Sequence, residues 1–339
     1  MSSRLSLKLL ENYVKNVFLM KTQKNPLLNP LFFTHYITLN CNFSCSYCGF
    51  AQNGDTKRKY PGQLGTKDTL KLLDIIKKES SDIYFTGGEP TIRPDIVDIL
   101  KYCKEIGFNT SVNTNMSLIH RKIEVLDYTD NLVASLDMLD EKRYSKTLGV
   151  SENIVKQVKQ NILDSSKIQK EKKFKMTVNC VVTRDTINDA RKVMDFCFDN
   201  NINFAIVPAE LDDGGINYNL KNNLDYQKLI KEIISVKESG KPVFGTKRFL
   251  DTILDFKRFD CYPETIPHIY PNGDLMYPCQ PLLKIGANLL EEGSYKKALK
   301  EGIRKHGLPP RCKDKCHKAC YIEPPIFIKN PTLVLKEFV

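Results

Sequence analysis

Three cysteines within eight residues are the strongest candidates for chemistry in this sequence. They are Cys41, Cys45 and Cys48, in the segment CNFSCSYC. Three thiolates in one tight loop can bind three irons of a 4Fe–4S cluster and leave the fourth iron open. An open metal position serves catalysis, whereas a zinc ion shared with a distant fourth ligand is the structural alternative.

A second concentration of cysteines lies in the last third of the chain. Cys261 and Cys279 flank a Pro-Asn-Gly-Asp segment, which predicts a hairpin turn between short apolar runs. Cys312, Cys316 and Cys320 recur every four residues, so they share one face if this stretch is helical. A hairpin followed by a helix can therefore bring four or five thiols to one point.

The composition favours metal binding over disulfides for these thiols. The chain has 339 residues and 11 cysteines, and its N-terminus lacks the apolar stretch and cleavage site of a secretory signal. We therefore expect a reduced, cytoplasmic protein with one large domain or two ordinary ones. The remaining cysteines fall on apolar faces of predicted elements and should pack in the core. They are Cys103, Cys180 and Cys197.

Charge and hydropathy narrow the possible classes of protein. The 51 Lys+Arg and 40 Asp+Glu residues give a net charge of +11, which suits anionic partners. No base-reading or RNA-binding motif accompanies this charge, so we do not expect nucleic acid as a partner. No run of residues reaches the roughly 18 apolar positions of a membrane span. The hydrophobic content of 41% excludes disorder as the main state.

The elements that must position the three-cysteine loop alternate between strand and helix from residue 32 onward. Predicted strands occupy 32–40, 82–86, 108–113, 131–137, 174–183 and 202–207. Predicted helices occupy 68–78, 94–106, 150–164, 186–199 and 226–236. Six strands with intervening helices predict a parallel sheet or barrel. The loop then follows the first strand, at the C-terminal end where α/β barrels carry their chemistry.

Further motifs end the next strands, in the same order. They are Gly87-Gly88-Glu89-Pro90 after the second strand, Asn113-Thr114-Asn115 after the third, Ser135-Leu136-Asp137 after the fourth and Asn179 within the fifth. With the cysteine loop, and with Tyr47 before its last cysteine, this ordered set resembles the radical S-adenosylmethionine (radical SAM) superfamily over about residues 30–210. The sequence departs from the family at Met116, where the family has glycine.

The resemblance implies a radical SAM enzyme with a partial (β/α)6 TIM-like barrel. In this family, a 4Fe–4S cluster and S-adenosyl-L-methionine yield a 5′-deoxyadenosyl radical that abstracts hydrogen from a substrate. An electron donor such as flavodoxin or ferredoxin reduces the cluster. By resemblance, Cys41, Cys45 and Cys48 hold this cluster. The implied S-adenosylmethionine contacts are Tyr47, Gly87, Gly88, Glu89, Asn115, Ser135 and Asp137.

The later cysteines resemble the twitch or SPASM modules that hold auxiliary clusters behind radical SAM barrels. Two fully cysteine-ligated clusters need eight thiolates, so the five cysteines from Cys261 onward predict one auxiliary 4Fe–4S cluster. Which of Cys312, Cys316 and Cys320 bind it stays open, because the terminal pair in the family is usually two residues apart. His317 is another candidate ligand, and a structural zinc ion is the alternative reading of the site.

The expected organisation has four parts. They are an N-terminal amphipathic helix with its lead-in (1–31), the barrel (32–215), a helical connection (216–239) and a small Cys-rich α+β module for the auxiliary cluster (240–339). About 30 residues precede the first strand, too few for the peptide-recognition domain of many peptide-maturing relatives. We therefore expect a small-molecule, cofactor-precursor or lipid-like substrate. A SPASM-type peptide maturase is the alternative, and a non-catalytic iron–sulfur redox or regulatory protein is a remote one.

The N-terminal stretch predicts a helix over 5–20 with one apolar face. Leu5, Leu9, Tyr13 and Val17 recur at helical spacing on this face. The helix either packs on the main domain or makes peripheral contact with a membrane surface, and the second option would favour a lipid-like substrate.

Two further positions have competing interpretations. His35 lies in the first predicted strand and belongs either to the core or to the lumen. Glu210, Asp212 and Asp213 follow the sixth strand, where substrate-binding groups often lie in barrels, although a solvated acidic loop is the favoured explanation.

Overall fold

Strands and helices alternate through most of the computed structural model, which describes residues 6–49, 62–211, 214–312 and 316–333. The strands are β1 (Phe33–Thr38), β2 (Asp82–Gly87), β3 (Asn109–Thr114), β4 (Asn131–Ser135), β5 (Lys175–Val182), β6 (Asn203–Pro208), β7 (His268–Ile269), β8 (Asp274–Tyr277) and β9 (Lys284–Asn288). The helices are α1 (Leu7–Thr22), α2 (Thr66–Lys77), α3 (Ile96–Glu105), α4 (Glu141–Leu148), α5 (Glu152–Ile168), α6 (Ile187–Asp199), α7 (Tyr218–Lys221), α8 (Leu224–Glu238), α9 (Lys247–Leu254), α10 (Leu289–Glu292), α11 (Tyr295–His306) and α12 (Glu323–Lys329). Three residues singled out in the sequence, Leu5, Asp212 and Asp213, lie outside the described ranges.

One continuous sheet holds these nine strands in the order β6-β5-β4-β3-β2-β1-β7-β8-β9. The first six strands are parallel, and each pairs with its neighbour in sequence. β7 joins β1 in parallel, and β8 and β9 continue the sheet antiparallel. This arrangement confirms the predicted α/β class, with a C-terminal antiparallel region. The sequence did not indicate that the C-terminal strands would extend the same sheet.

Side chains alternate between the two faces of the parallel sheet. Along β5, Met176, Val178, Cys180 and Val182 are buried, whereas Asn179 on the opposite face is half-buried. The buried face belongs to the main core under the helices, and the opposite face lines the lumen of the barrel. Cys180 therefore points away from the lumen, as predicted. The other predicted core cysteines, also fully buried, are Cys103 and Cys197.

α1 covers the N-terminal end of the barrel, opposite the end that carries the three-cysteine loop. The buried Asn12 donates through Nδ2 to the carbonyls of Pro30 and Glu79 at 2.7 Å each, just before β1 and β2. Ser6, which caps the helix, also donates to the carboxylate of Asp82 at the start of β2. These bonds fix α1 across the ends of the two strands.

α1 carries two apolar stripes. Leu9, Tyr13 and Val17 of the predicted stripe pack against the N-terminal lead-in and α12, so this face is a packed one. A second stripe, called the outer stripe here, is exposed. It consists of Leu7, Leu10, Val14 and Phe18. Among the residues that the structure describes, no helix is both long enough and apolar enough to cross a membrane.

The predicted hairpin between Cys261 and Cys279 is present. β7 and β8 pair antiparallel, with His268 opposite Met276. The turn between them contains Gly273 at a φ of +89°, a left-handed backbone that glycine adopts without strain. The Asn-Gly signal in the sequence therefore identified this turn correctly.

The last three cysteines would share one face only if their stretch were helical, and the described residues 316–318 are not helical. The chain is irregular at 316–318, and Cys320 lies in the short 3-10 turn Ala319–Tyr321 that precedes α12. The reason is that backbone donors here are used in tertiary contacts. The N–H of His317 donates to the Gly214 carbonyl at 2.6 Å, and the N–H of Ala319 donates to Glu210 Oε1 at 3.0 Å. The cysteines concerned are Cys312, Cys316 and Cys320.

Candidate functional site

The three-cysteine loop leaves the C-terminal end of β1 and is held against the end of α4. The N–H groups of Ser44 and Ser46 donate to the carbonyls of Leu148 and Thr147 at 2.9 Å each. Gly149 ends α4 with a φ of +67°, and a Cβ at this position would lie 3.2 Å from the Cβ of Ser44. The protein's own backbone therefore fixes the loop.

The thiols of this loop lie close enough together to influence one another. Burial, together with the nearby Cys48, Asp137 and Cys41, raises the pKa of Cys45 to about 12. The N–H of Phe43 donates to Cys41 Sγ at 3.4 Å. At neutral pH the Cys45 thiol therefore stays protonated unless a metal binds it and displaces the proton.

The donor set of the loop fits an iron–sulfur cluster by its chemistry. Within the described ranges, no three or more His, Cys, Asp or Glu side chains surround one point closely enough to hold a single metal ion. In a cluster the thiolates bind separate irons, and three thiols from one loop are a donor set of this kind.

The segment Gly87-Gly88-Glu89 packs against the continuation of β1. Gly88 N–H donates to the Thr38 carbonyl, and Glu89 N–H donates to the Asn40 carbonyl, at 2.8 Å each. A Cβ on Gly88 would lie 1.9 Å from the Asn40 carbonyl oxygen. The resemblance implies that Gly88 contacts S-adenosylmethionine, but the backbone beside the cysteine loop already requires glycine at this position.

Glu89 ties the end of β3 to the end of β2. Its buried carboxylate accepts hydrogen bonds from the Thr91 N–H at 2.9 Å, the Thr91 hydroxyl at 2.6 Å, the Thr114 hydroxyl at 2.8 Å and the Asn115 N–H at 2.6 Å. Burial raises the pKa of Glu89, and these four donors oppose the rise. The side chain of Glu89 is thus committed to the protein scaffold.

Asn115 connects this scaffold to the cysteine loop. Its Nδ2 donates to Asn42 Oδ1 at 2.9 Å and lies 4.0 Å from Cys41 Sγ. Its Oδ1 accepts from the Ser117 N–H at 3.0 Å. Met116, which replaces the family's glycine, has a φ of +64°, so the chain keeps the left-handed backbone that glycine favours.

Asp137 is buried behind the cysteine loop. Its Oδ2 accepts from the Tyr47 hydroxyl, and its Oδ1 accepts from the Val181 N–H at 2.8 Å. The Tyr144 hydroxyl accepts from the Asp137 N–H at 3.1 Å. Burial raises the pKa of Asp137 to about 6, against the effect of these hydrogen bonds. Tyr47 and Asp137 therefore bind each other. Ser135, the last residue of β4, is half-buried.

A cavity of about 360 Å³ opens beside the contact between Tyr47 and Asp137. This volume falls within the range of small-ligand sites. The residues that line it include Ser46, Tyr47, Asp137, Arg143, Lys146 and Val181. The cavity thus offers room for a ligand beside Ser46 and Tyr47 of the three-cysteine loop.

The five later cysteines also lie near one another, although the described residues 316–318 are not helical. Burial raises the pKa of Cys261, and Cys316, Cys279, Cys312 and Cys320 add to this rise. Burial likewise raises the pKa of Cys279 and the pKa of Cys320 to about 12. Irregular chain segments on both sides of the hairpin, rather than a helix, bring these thiols together.

Arg311 fixes the chain in front of Cys312. Its guanidinium donates to Glu264 Oε2 at 2.9 Å and to the Pro26 carbonyl at 2.6 Å. The N–H of Leu28 donates to Glu264 Oε1 at 3.1 Å. The N-terminal lead-in and the C-terminal segment therefore meet at one buried ion pair.

Both histidine candidates are surrounded by other groups of the protein. The ring of His317 packs against Phe256, and its Nε2 lies 3.0 Å from the Lys257 carbonyl. His35 is wholly buried, and burial together with the neighbouring Arg93 lowers its pKa to about 3. The imidazole of His317 thus packs against aromatic rings, and His35 stays neutral at physiological pH.

Two residues that the sequence did not single out, Lys318 and Tyr36, lie near the later cysteines. Lys318 donates to Glu210 in the loop after β6. Burial lowers the pKa of Lys318, but Glu210, Tyr36 and Cys320 together more than offset this, so the pKa is raised. Burial raises the pKa of Tyr36, which lies within electrostatic reach of Lys318, Cys320, Glu210 and Cys48. The one feature of the sequence that could have identified Lys318 is its position between Cys316 and Cys320.

Sequence comparisons agree with the resemblance. The sequence model described as "Radical SAM superfamily" matches residues 35–197. A protein named "Probable GTP 3′,8-cyclase" from Pyrococcus abyssi is 31% identical over 166 residues, which are 45% of this chain and 49% of that protein. The chain therefore spans about half the length of the curated relatives it matches.

Two solved structures share the fold. SuiB of Streptococcus suis bound to precursor peptide SuiA has a TM-score of 0.59 and 24% identity, covering 81% of this chain and 64% of that one. anSMEcpe with bound AdoMet and the Cp18Cys peptide has a TM-score of 0.60 and 14% identity, covering 90% of this chain and 98% of that one. Residues 35–197 span the cysteine loop and the strand-end motifs, and this part of the chain belongs to the radical SAM superfamily.

Proposed function

We propose that this chain is an enzyme that cleaves S-adenosylmethionine reductively and abstracts a hydrogen atom from a substrate. The observation that carries the proposal is the meeting of the three-cysteine loop with the ends of β2, β3 and β4 at one end of the sheet. When bound, the 4Fe–4S cluster supplies the electron that releases a 5′-deoxyadenosyl radical from S-adenosylmethionine. Anaerobically reconstituted protein, given dithionite and S-adenosylmethionine, is expected to release 5′-deoxyadenosine. In the cell, a flavodoxin or ferredoxin would take the place of dithionite.

The proposed roles of the site residues follow from their contacts. Cys41, Cys45 and Cys48 bind the cluster. Tyr47 and Asp137 bind each other, so they position the loop and form one wall of the cavity that we assign to the adenosyl group. The full set of proposed S-adenosylmethionine contacts is Tyr47, Gly87, Gly88, Glu89, Asn115, Ser135 and Asp137, with Glu89 contributing its backbone.

We also propose one auxiliary 4Fe–4S cluster in a module that begins near residue 240. Its ligands come from five thiols that lie together, and burial raises the pKa of most of them. Buried thiols of this kind lose their protons on binding metal. The ligands are drawn from Cys261, Cys279, Cys312, Cys316 and Cys320.

A variant that lacks the first three cysteines tests the auxiliary cluster. After reconstitution, the protein carrying Cys41→Ala, Cys45→Ala and Cys48→Ala is expected to retain about four irons and four sulfides per chain. Adding Cys279→Ala should remove this iron, whereas adding Cys197→Ala, a core cysteine, should leave it. Iron and sulfide analysis gives the answer. Zinc without iron in the triple variant would favour a structural zinc site instead.

The proposed substrate is a small polar molecule or cofactor precursor. Short uncharged polar side chains line much of the lumen face. They include Thr86, Ser111, Asn113, Ser135, Thr177 and Asn179. A lipid-like substrate loses its support, because α1 lies at the opposite end of strands that span about 20 Å. The name of the Pyrococcus relative, a GTP cyclase, is in line with a small molecule.

A peptide is the second candidate substrate. Both solved neighbours were crystallised with peptides, and they share the fold over 81% and 90% of this chain. The small-molecule substrate and the peptide substrate can be distinguished if a short precursor peptide is encoded beside this gene. A mass change in that peptide on incubation with enzyme, S-adenosylmethionine and dithionite would favour peptide modification, and an unchanged peptide would favour the small molecule.

The outer stripe of α1 supports a proposed peripheral contact with an anionic membrane. Phe18 is 64% exposed in this stripe, and Lys8 and Lys15 lie on the same helix. Phe18→Ser is expected to weaken co-sedimentation with phosphatidylglycerol vesicles about tenfold, since it removes a large apolar side chain from the contact. Leu308→Ser, at a similarly exposed leucine away from α1, is the control. Equal binding by both variants, or none by the wild type, contradicts the contact.

A further inference from the structure

The parallel part of the sheet is open on one side. β6 forms one edge of the sheet. On the other side, β7 pairs with β1. The loop after β6 carries Glu210 at the C-terminal end of the barrel. An element that links this loop to β7 would therefore span the opening between the two sides.

Residues 316–321, called the crossing segment here, contact the β6 side of this opening. Lys318 donates to the Glu210 carboxylate, and a backbone N–H of the segment donates to the same carboxylate at 3.0 Å. The N–H of His317 donates to the Gly214 carbonyl at 2.6 Å. Three polar bonds thus join the segment to the loop after β6.

The same segment contacts the β7 side. The Tyr321 hydroxyl lies 2.9 Å from Nδ1 of His268 and accepts from the Gln280 N–H at 3.3 Å. His268 belongs to β7 and pairs with Thr34 of β1. The crossing segment therefore spans from the loop after β6 to the strand beside β1.

The ion pair in the crossing segment lies next to the later thiols. Lys318 is two residues from both Cys316 and Cys320. The side chains of Lys318 and Glu210 are only 19% and 24% exposed. A Cβ on Gly214 would lie 3.1 Å from Cys316 Sγ, so the β6 loop itself touches a thiol. Charges shielded from water act strongly on a neighbouring redox centre.

We propose that Glu210 and Lys318 are a positioning pair that joins the later thiols to the barrel and sets the reduction potential of the auxiliary cluster. The inference rests on the auxiliary cluster proposed for these thiols. Reduction adds negative charge to a cluster, so the Lys318 ammonium raises the potential and the Glu210 carboxylate lowers it. Both residues hold the crossing segment in place, but their effects on the potential have opposite signs.

Reduction potentials test the electrostatic half of the proposal. The measurement uses the variant without Cys41, Cys45 and Cys48, in which only the auxiliary cluster contributes. Redox titration followed by EPR should give a more negative potential for Lys318→Met and a less negative one for Glu210→Gln. Lys318→Arg, which keeps the charge, should restore the original value. General damage to the fold would move both single variants the same way, and that result, or no shift in either, overturns the proposal.

Amide hydrogen exchange tests the positioning half on protein without clusters. Loss of either charge leaves its half-buried partner without its ion pair, so exchange in the crossing segment should accelerate about tenfold or more in both Lys318→Met and Glu210→Gln. The control is Lys329→Met, which breaks the ion pair with Asp260 elsewhere in the C-terminal region. Exchange as fast in the wild type as in the variants overturns the positioning role. If the triple-cysteine variant binds no iron, the proposal of an auxiliary cluster is wrong. Hydrogen exchange then still decides whether the ion pair of Lys318 and Glu210 holds the crossing segment in place.

Discussion

Replacing Cys45 by alanine is expected to abolish the release of 5′-deoxyadenosine from S-adenosylmethionine. Cys45 is the middle thiol of the loop, and its neighbours Cys48, Asp137 and Cys41 all contribute to its raised pKa. Loss of this thiolate leaves two ligands for a cluster that needs three, so about four irons per chain should be lost. Product, measured by liquid chromatography, should fall to the level of a reaction without dithionite.

Cys103→Ala is the matched control for this substitution. Cys103 is also a free cysteine, but it is fully buried in α3 and packs in the main core. Its removal creates a small cavity and should lower stability modestly while leaving iron content and product unchanged. If Cys45→Ala kept both its iron and its product, the three-cysteine loop could not be the site of cleavage.

The part of the site that the sequence predicts correctly is the part with short-range signals. The motifs follow the ends of the first four strands, and parallel strands bring these ends to one edge of the sheet. The cysteine loop, Gly87-Gly88-Glu89 and Asn115 therefore meet as the order of motifs indicated. The hairpin turn at Gly273 is equally local, because an Asn-Gly pair specifies its own backbone.

The geometry of the last cysteines was not predictable in this way. Spacing by four residues favoured a helix, but the chain from Cys316 uses its N–H groups on the loop after β6, which lies about a hundred residues earlier. Hydrogen bonds between such distant segments leave no period in the sequence. The same holds for Lys318, whose partner Glu210 could be identified only once the sheet had placed β6 opposite β7.

The contacts of Glu89 and Asp137 refine what the family resemblance implies. Both carboxylates are buried and accept several hydrogen bonds from the protein itself. Glu89 joins β2 to β3, and Asp137 joins the cysteine loop to β4 and β5. Their side chains thus organise the edge of the sheet, and substitutions at either position will disturb the scaffold as well as any bound cofactor.

Gly88→Ala is expected to destabilise the protein by about 3 kcal/mol or more, the largest effect that we predict for the addition of one methyl group. A Cβ at this position would lie 1.9 Å from the Asn40 carbonyl oxygen and 2.4 Å from the Asn40 carbonyl carbon. These are backbone atoms, and the N–H groups of Gly88 and Glu89 bind this same stretch at 2.8 Å. Relief of the clash therefore requires the end of β2 to separate from the chain that enters the cysteine loop.

Gly65→Ala is the control for Gly88→Ala, because an added Cβ at Gly65 meets no atom within 4 Å. Gly65 precedes α2 in an extended conformation that alanine also adopts, so the free energy of unfolding should change by less than about 1 kcal/mol. Urea unfolding of the cluster-free proteins, followed by circular dichroism, compares the two variants. A cost at Gly88 as small as that at Gly65 would mean that β2 and the cysteine loop can separate freely. In that case, the requirement for glycine would have to come from the bound cofactor and not from the protein backbone.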